Sequence, residues 1–161
     1  MSKKKILVSA CLLGELVRYD GELLADCPPI LKEWQKAGLV IPVCPEVDGG
    51  LPTPRLPSEI QDGDGKDVVA GTSKVVDING KDVTAAFLKG AREALRMAEE
   101  NEVKIAILKE RSPSCGSKLT YDGTFSNSLI AGQGVAAALL ENNGIRVYNE
   151  DEIDQITDLI D

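Results

Sequence analysis

The stretch VKIAILKERSPSCGS, residues 103–117, reads as a strand that runs out into a rigid loop. Its first seven residues are apolar and β-rich. The rest is punctuated by serines, Pro113 and Gly116 around a cysteine, Cys115. Four more runs share the first character: KILVSA at 5–10, LVIPV at 39–43, SKVVDI at 73–78 and IRVYN at 145–149. Three of the five lack the alternation of a strand with one wet face, which points to parallel strands covered on both sides.

Helical patterns lie between the runs. PPILKEWQKAG opens on prolines and closes at Gly38, the expected polarity of helix signals, with Ile30, Leu31, Trp34 and Ala37 on its apolar face. From Thr84 to about Glu100, Phe87, Ala91, Ala94, Leu95 and Ala98 form one stripe, with Asp82 or Thr84 as the cap. A further helix runs through Val135, Ala138 and Leu139 and stops at NNG. A last one carries Ile153, Ile156 and Ile160. Strands alternating with helices predict an α/β fold, a Rossmann-like three-layer sandwich with a mainly parallel sheet, as a single domain over residues 1–161. DING, residues 77–80, reads as a tight turn that makes 73–78 part of a hairpin. Long loops are expected at 11–26, 44–72 and 110–128.

The chain has 161 residues, 43% of them hydrophobic, with a net charge of −8 and no histidine. That length supports a real core. The acidic balance disfavours a polyanionic partner and leaves a small neutral substrate open. Lys3, Lys4 and Lys5 read as a solvated terminus. No apolar run approaches a membrane span, and the N-terminal one is too short for a signal peptide, so a cytoplasmic protein is expected.

Cys11 follows the first strand, Cys44 follows the second, and Cys115 lies six residues past the strand ending at Lys109. Ligands of open parallel sheets bind beyond the carboxyl ends of the strands. If these strands are parallel and adjacent, three thiols converge on one edge, which suggests a shared three-thiolate site for metal or redox chemistry. Thiolates suit zinc, copper(I) or iron–sulfur clusters, and spacing alone does not choose among them. Closed structural zinc would want a C-x-x-C pair, which is absent. Cys27 could supply a fourth ligand, but DCPPI reads as a helix start, and a packing role is favoured for it. Glu46, two residues from Cys44, could move protons, or could be a surface charge. Ser112 and Ser114 could orient a water or substrate, or stabilise a turn. Arg18 and Arg55 could bind an anionic group, with loop-holding ion pairs as the favoured role for both.

Other motifs carry less. GQGVAA, residues 132–137, resembles a dinucleotide fingerprint, but only SLIA, a poor strand, precedes it; easing a helix start or allowing close packing explains its glycines better. QDGDGKD, residues 61–67, departs from a calcium loop at several ligand positions and reads as a polar turn. A cysteine nucleophile at Cys115 would need a helix N-terminus or a cation in place of histidine.

Taken together, SACLLG…VRYDG, CPEVDGGLPTPR, LKERSPSCGS and GQGVAAALLENNGIRVYNE resemble one family of small bacterial proteins, long catalogued as a domain of unknown function and represented by thiouracil desulfidase. The likeness spans nearly the whole chain. It implies a [4Fe–4S] cluster on Cys11, Cys44 and Cys115, with one iron open to the sulfur of a thiolated pyrimidine such as 2-thiouracil. It also implies Glu46 as the acid/base and Ser112 as a second catalytic residue. Ser114 and Arg55 are the candidate substrate-binding residues. The implied reaction is non-redox: water replaces sulfur on the ring, sulfide remains on the open iron, and hydrogen sulfide leaves. The expected partner is a small thiolated heterocycle, with no nucleic acid and no membrane, for a monomer or homo-oligomer. The alternatives are an open zinc–thiolate hydrolase and a non-catalytic metal- or ligand-binding protein.

Overall fold

The computed structural model describes residues 5–13, 28–110 and 112–160. Its strands in chain order are β1 (Ile6–Ser9), β2 (Val40–Val43), β3 (Ser58–Gln61), β4 (Lys74–Asp77), β5 (Ile105–Ile107), β6 (Leu119–Tyr121), β7 (Leu129–Ala131) and β8 (Arg146–Tyr148). The helices are α1 (Pro29–Lys36), α2 (Pro45–Asp48), α3 (Gly65–Ala70), α4 (Thr84–Glu100), α5 (Val135–Asn142) and α6 (Thr157–Ile160), with 3-10 turns at Ala10–Leu13 and Glu150–Gln155. Arg18, Cys27, Lys3 and Lys4 lie outside the described residues, as does most of the loop expected at 11–26.

The central sheet has the order β2-β1-β5-β8 and every pairing in it is parallel. Side chains of β1 and β5 alternate between two buried faces, as a parallel sheet covered by helices demands. Ile6, Val8 and Ile107 pack with Leu31 and Trp34 of α1 and with Ile153 and Ile156 near the C-terminus. Leu7, Ala106 and Leu108 point the other way, onto Ala94 and Ala98 of α4 and Ala137 and Leu140 of α5. The result is three layers. β2 is an edge strand, which accounts for its tolerance of Pro42, whose ring offers no N–H to a ladder.

Several expectations change in detail. The run at 73–78 does not join the central sheet. It is β4, paired antiparallel with β3 across a connection that contains α3. DING is still a turn: Asp77 Oδ1 accepts the N–H groups of Asn79 and Lys81, and Val76 bridges to Asp82 beyond it. The loop expected at 44–72 contains α2, β3 and α3, and the one at 110–128 contains β6. SLIA does form a strand, β7, antiparallel to β6 and exposed, so alternation and burial gave no signal for it. Ala37 is an exposed C-cap rather than part of the α1 apolar face. QDGDGKD is a polar turn whose Asp64 caps α3 in a reciprocal capping box with Asp67. No helix among the described residues is long and apolar enough to cross a membrane.

Candidate functional site

The ends of β1, β2 and β5 open on one cavity of about 410 Å³. From β1 come Ser9 and Cys11, from β2 Cys44 and Glu46, and from β5 Lys109, Glu110 and the turn Ser112–Cys115. Arg55, Glu59, Tyr121 and Asn127 complete much of the wall. The placement follows from sheet order. The chain leaves β1 for β2 on one side, and β5 lies on the other, so the loops diverge and leave a crevice there.

Each thiol has its own local anchor. Cys11 sits in the 3-10 turn that continues β1. Cys44 is the extended residue before α2, whose first helical position is Pro45, and its N–H donates to Asp48 Oδ2 at 3.2 Å. That short helix is pressed onto α4: a Cβ on Gly90 would lie 1.7 Å from the Pro45 carbonyl oxygen, and one on Gly49 would lie 2.1 Å from that of Ala86. Cys115 closes a turn in which Ser112 Oγ accepts the Cys115 N–H at 2.7 Å and the Ser114 N–H at 3.3 Å.

Behind this turn stands the start of α5. The N–H groups of Val135 and Ala136 donate to the carbonyls of Pro113 and Ser114, both at 2.7 Å, and Gly134 N–H donates to Gly116 at 2.7 Å. A Cβ on Gly134 would fall 2.5 Å from the Ser114 carbonyl carbon. The fingerprint-like glycines therefore serve close packing. The helix-terminal N–H groups that would cradle a phosphate are spent on the cysteine turn.

Glu46 is held at both oxygens. Arg55 Nε donates to Oε1 at 3.0 Å and Ser114 Oγ donates to Oε2 at 3.1 Å. The two side chains of the ion pair are only 7% and 15% exposed. Arg55 also reaches the Pro52 carbonyl and the Thr53 hydroxyl, so it fastens the 52–55 loop to Glu46, the loop-holding role favoured from the sequence. Ser114, expected at the substrate, is the hydroxyl on Glu46. Ser112, expected as a second catalytic residue, is one step removed from Glu46, with its Oγ 3.3 Å from that of Ser114.

Two carboxylates went unread in the sequence. Glu110 is buried and accepts N–H bonds from Ser117, Lys118 and Leu119. Glu59 is buried on β3 and accepts the N–H groups of Gly123 and Phe125, tying the tip beyond β6 to the cavity wall. No local pattern signals either one, because their partners are backbone amides, 7 to 9 residues on for Glu110 and 64 to 66 for Glu59, and amides carry no side-chain signature.

Burial pushes the Cys115 thiol up to about 12, against hydrogen bonds from Ser114 and Ser9, with Cys44 and Cys11 adding to the rise. Burial also raises Cys44, opposed by the Val47 N–H and the Arg55 charge and reinforced by Glu46 and Asp48. Burial thus favours the neutral form of both thiols, and a bound metal would reverse that penalty and favour the thiolate. None of Cys11, Cys44 and Cys115 is in a disulfide. Among the described residues, no three His, Cys, Asp or Glu side chains converge closely enough to hold one metal ion. A cluster of several irons asks for something else, since each thiolate takes its own iron. Three soft donors on three loops around one cavity fit that demand.

The 2-thiouracil desulfurase family model matches residues 6–152. YbbK of Bacillus subtilis (strain 168), an uncharacterized protein, is 45% identical over 151 residues, covering 94% of this chain and 99% of that one. A solved structure of the [4Fe-4S]-dependent thiouracil desulfidase TudS (DUF523Vcz) superposes with a TM-score of 0.88 at 43% identity, covering 98% of this chain and 97% of that one.

Proposed function

Because the chain belongs to the 2-thiouracil desulfurase family, we propose that it is an iron–sulfur-dependent enzyme that hydrolyses the C–S bond of a thiolated pyrimidine. For 2-thiouracil the balance is thiouracil plus water giving uracil plus hydrogen sulfide, with no net oxidation or reduction. Residues 1–161 act as one desulfidase-like unit in this reading. The observation that carries it is the arrival of Cys11, Cys44 and Cys115 at one cavity that also holds the Glu46–Ser114 hydrogen bond. The family and the solved relative support the cofactor and the substrate class.

Cys11, Cys44 and Cys115 would hold a [4Fe–4S] cluster. When bound, it supplies one iron without a protein ligand, a Lewis acid that polarises the C–S carbon and accepts the soft exocyclic sulfur. The chain's own groups handle water and protons. Glu46 Oε2, facing Ser114, takes a proton from the attacking water and gives it up to the departing sulfur, and the second water proton follows so that hydrogen sulfide leaves; while Oε2 holds the proton, the Ser114 hydroxyl turns its hydrogen bond toward Ser112 Oγ. Arg55, bonded to Oε1, keeps the carboxylate aimed and its charge compensated. Ser112 keeps the Cys115 turn closed and stands behind Ser114. The net charge of −8 suits an uncharged heterocycle better than a polyanion.

The test is anaerobic purification followed by iron, acid-labile sulfide and zinc analysis, then turnover of 2-thiouracil. About four irons per chain with matching sulfide, and hydrogen sulfide release, are expected. About one zinc per chain without labile sulfide would refute the reading in favour of an open zinc site.

A further inference from the structure

Cys115 lies between two anchors. On one side the start of α5 binds the carbonyls of residues 113, 114 and 116. On the other side the chain turns around a single buried carboxylate. Glu110 Oε1 accepts the N–H groups of Ser117 at 2.9 Å, Lys118 at 3.2 Å and Leu119 at 3.2 Å. Glu110 Oε2 accepts the Ser117 hydroxyl at 3.0 Å and the Asn149 Nδ2 amide at 2.7 Å. Three successive N–H groups aimed at one oxygen make a concavity that calls for an anion. Gly116 lets the backbone close around it, since a Cβ there would sit 2.5 Å from the Leu119 carbonyl oxygen and 3.2 Å from Glu110 Oε1.

The carboxylate is itself fixed to the sheet. Glu110 follows β5 closely, its N–H donates to Glu150 Oε1 at 2.8 Å, and Asn149 lies just past β8. Glu110 thus joins the ends of two parallel strands to the segment that follows Cys115. It also lines the cavity, as Glu46 does. The two carboxylates are not equivalent. Five donors occupy the oxygens of Glu110, about as many as a carboxylate accepts. Glu46 instead meets one hydroxyl, whose proton can shift, and one guanidinium.

We propose that Glu110 is the positioning residue of the Cys115 ligand turn: its buried carboxylate sets the thiol against the cavity before any cluster is bound. This rests on the reading of Cys115 as a cluster ligand. Glutamine is the informative replacement. With its oxygen toward the three loop N–H groups its NH2 faces the Asn149 donor, and turned the other way its NH2 faces the loop N–H groups, so in either orientation part of the donor set loses its acceptor without a change in side-chain size.

The experiment is thiol alkylation of metal-free protein, read by mass spectrometry at each cysteine. Glu110→Gln should raise the Cys115 rate at least tenfold relative to Cys44 and leave the Cys11-to-Cys44 ratio as it was. Ser117→Ala, which removes one donor, should raise the Cys115 rate a few-fold. If Glu110→Gln lacks a cooperative melt, Ser117→Ala carries the test. Unchanged Cys115 labelling, or an equal rise at all three cysteines, overturns the proposal. Iron reconstitution separates it from the cluster reading. A wild-type chain that takes up no iron, beside a Cys115-specific effect, refutes the cluster and leaves the positioning role. Four irons in both proteins with unchanged labelling does the reverse.

Discussion

Glu46 and Ser114 are 68 residues apart in the chain and meet across the cavity, Ser114 Oγ donating to Glu46 Oε2 at 3.1 Å. The contact joins the end of β2 to the loop after β5, two strands that do not touch each other because β1 lies between them. It separates the roles of the two serines. Ser114→Ala leaves the Cys115 turn closed through Ser112 but removes the hydroxyl from Glu46. Thiouracil turnover should fall by about 10²-fold or more, with iron content unchanged. Ser112→Ala removes the acceptor of the Cys115 N–H instead, and should cost about 1 kcal/mol in a urea melt and lower iron retention. Equal effects of the two variants on turnover and iron would contradict this division.

The Arg55–Glu46 pair predicts asymmetric damage. Both side chains are largely buried, so Arg55→Met leaves the Glu46 carboxylate without its cation and frees the 52–55 loop. Breaking one partner of a buried pair should destabilise by about 3 kcal/mol. Glu46→Gln removes the counter-charge but keeps an acceptor for Arg55, which also retains the Pro52 and Thr53 oxygens, so it should cost less, about 1–2 kcal/mol, while turnover is abolished. Chemical denaturation with parallel activity assays reads both numbers, and an active Glu46→Gln would remove Glu46 from the mechanism.

Close packing predicts effects at two glycines that carry no reactive group but press on the loops of the site. Gly90→Ala drives a methyl into the Pro45 carbonyl and must push α2, and with it Cys44 and Glu46, away from α4. Gly134→Ala does the same to the Cys115 turn. Each should cost about 1–3 kcal/mol, and iron retention should suffer more than an exposed Ala variant of matched stability shows. Iron per chain against melting temperature is the comparison to make.

In metal-free protein the thiols should differ with pH. Cys115 is raised from an ordinary 9.0 to about 12, chiefly by burial. At pH 8 it should therefore alkylate more slowly than the partly exposed Cys11 and Cys44. Between about 9.0 and about 12 the unfolded chain has lost this proton and the folded chain has kept it, so stability should fall as pH rises through that window. Urea melts of metal-free Cys115→Ser, which lacks the thiol, should show a weaker decline.

The order of strands and helices, the burial of the strands on both faces and the three thiols at strand ends were legible along the chain. Apolar periodicity and the placement of Cys11, Cys44 and Cys115 are local properties, and a parallel sheet leaves few ways to arrange them. β7 and the β3–β4 pairing were not legible, because exposed or cross-chain strand pairing has no local pattern. The same limit holds at the site. The sequence named Glu46, Ser112, Ser114 and Arg55, but their division of labour depends on distances between segments up to 68 residues apart. Glu110 shows it most plainly. A carboxylate beside a lysine and an arginine reads as a surface charge, and only the folded chain brings three backbone N–H groups and Asn149 to its buried oxygens. Backbone amides carry no side-chain signature, so what they bind was decided by tertiary structure alone.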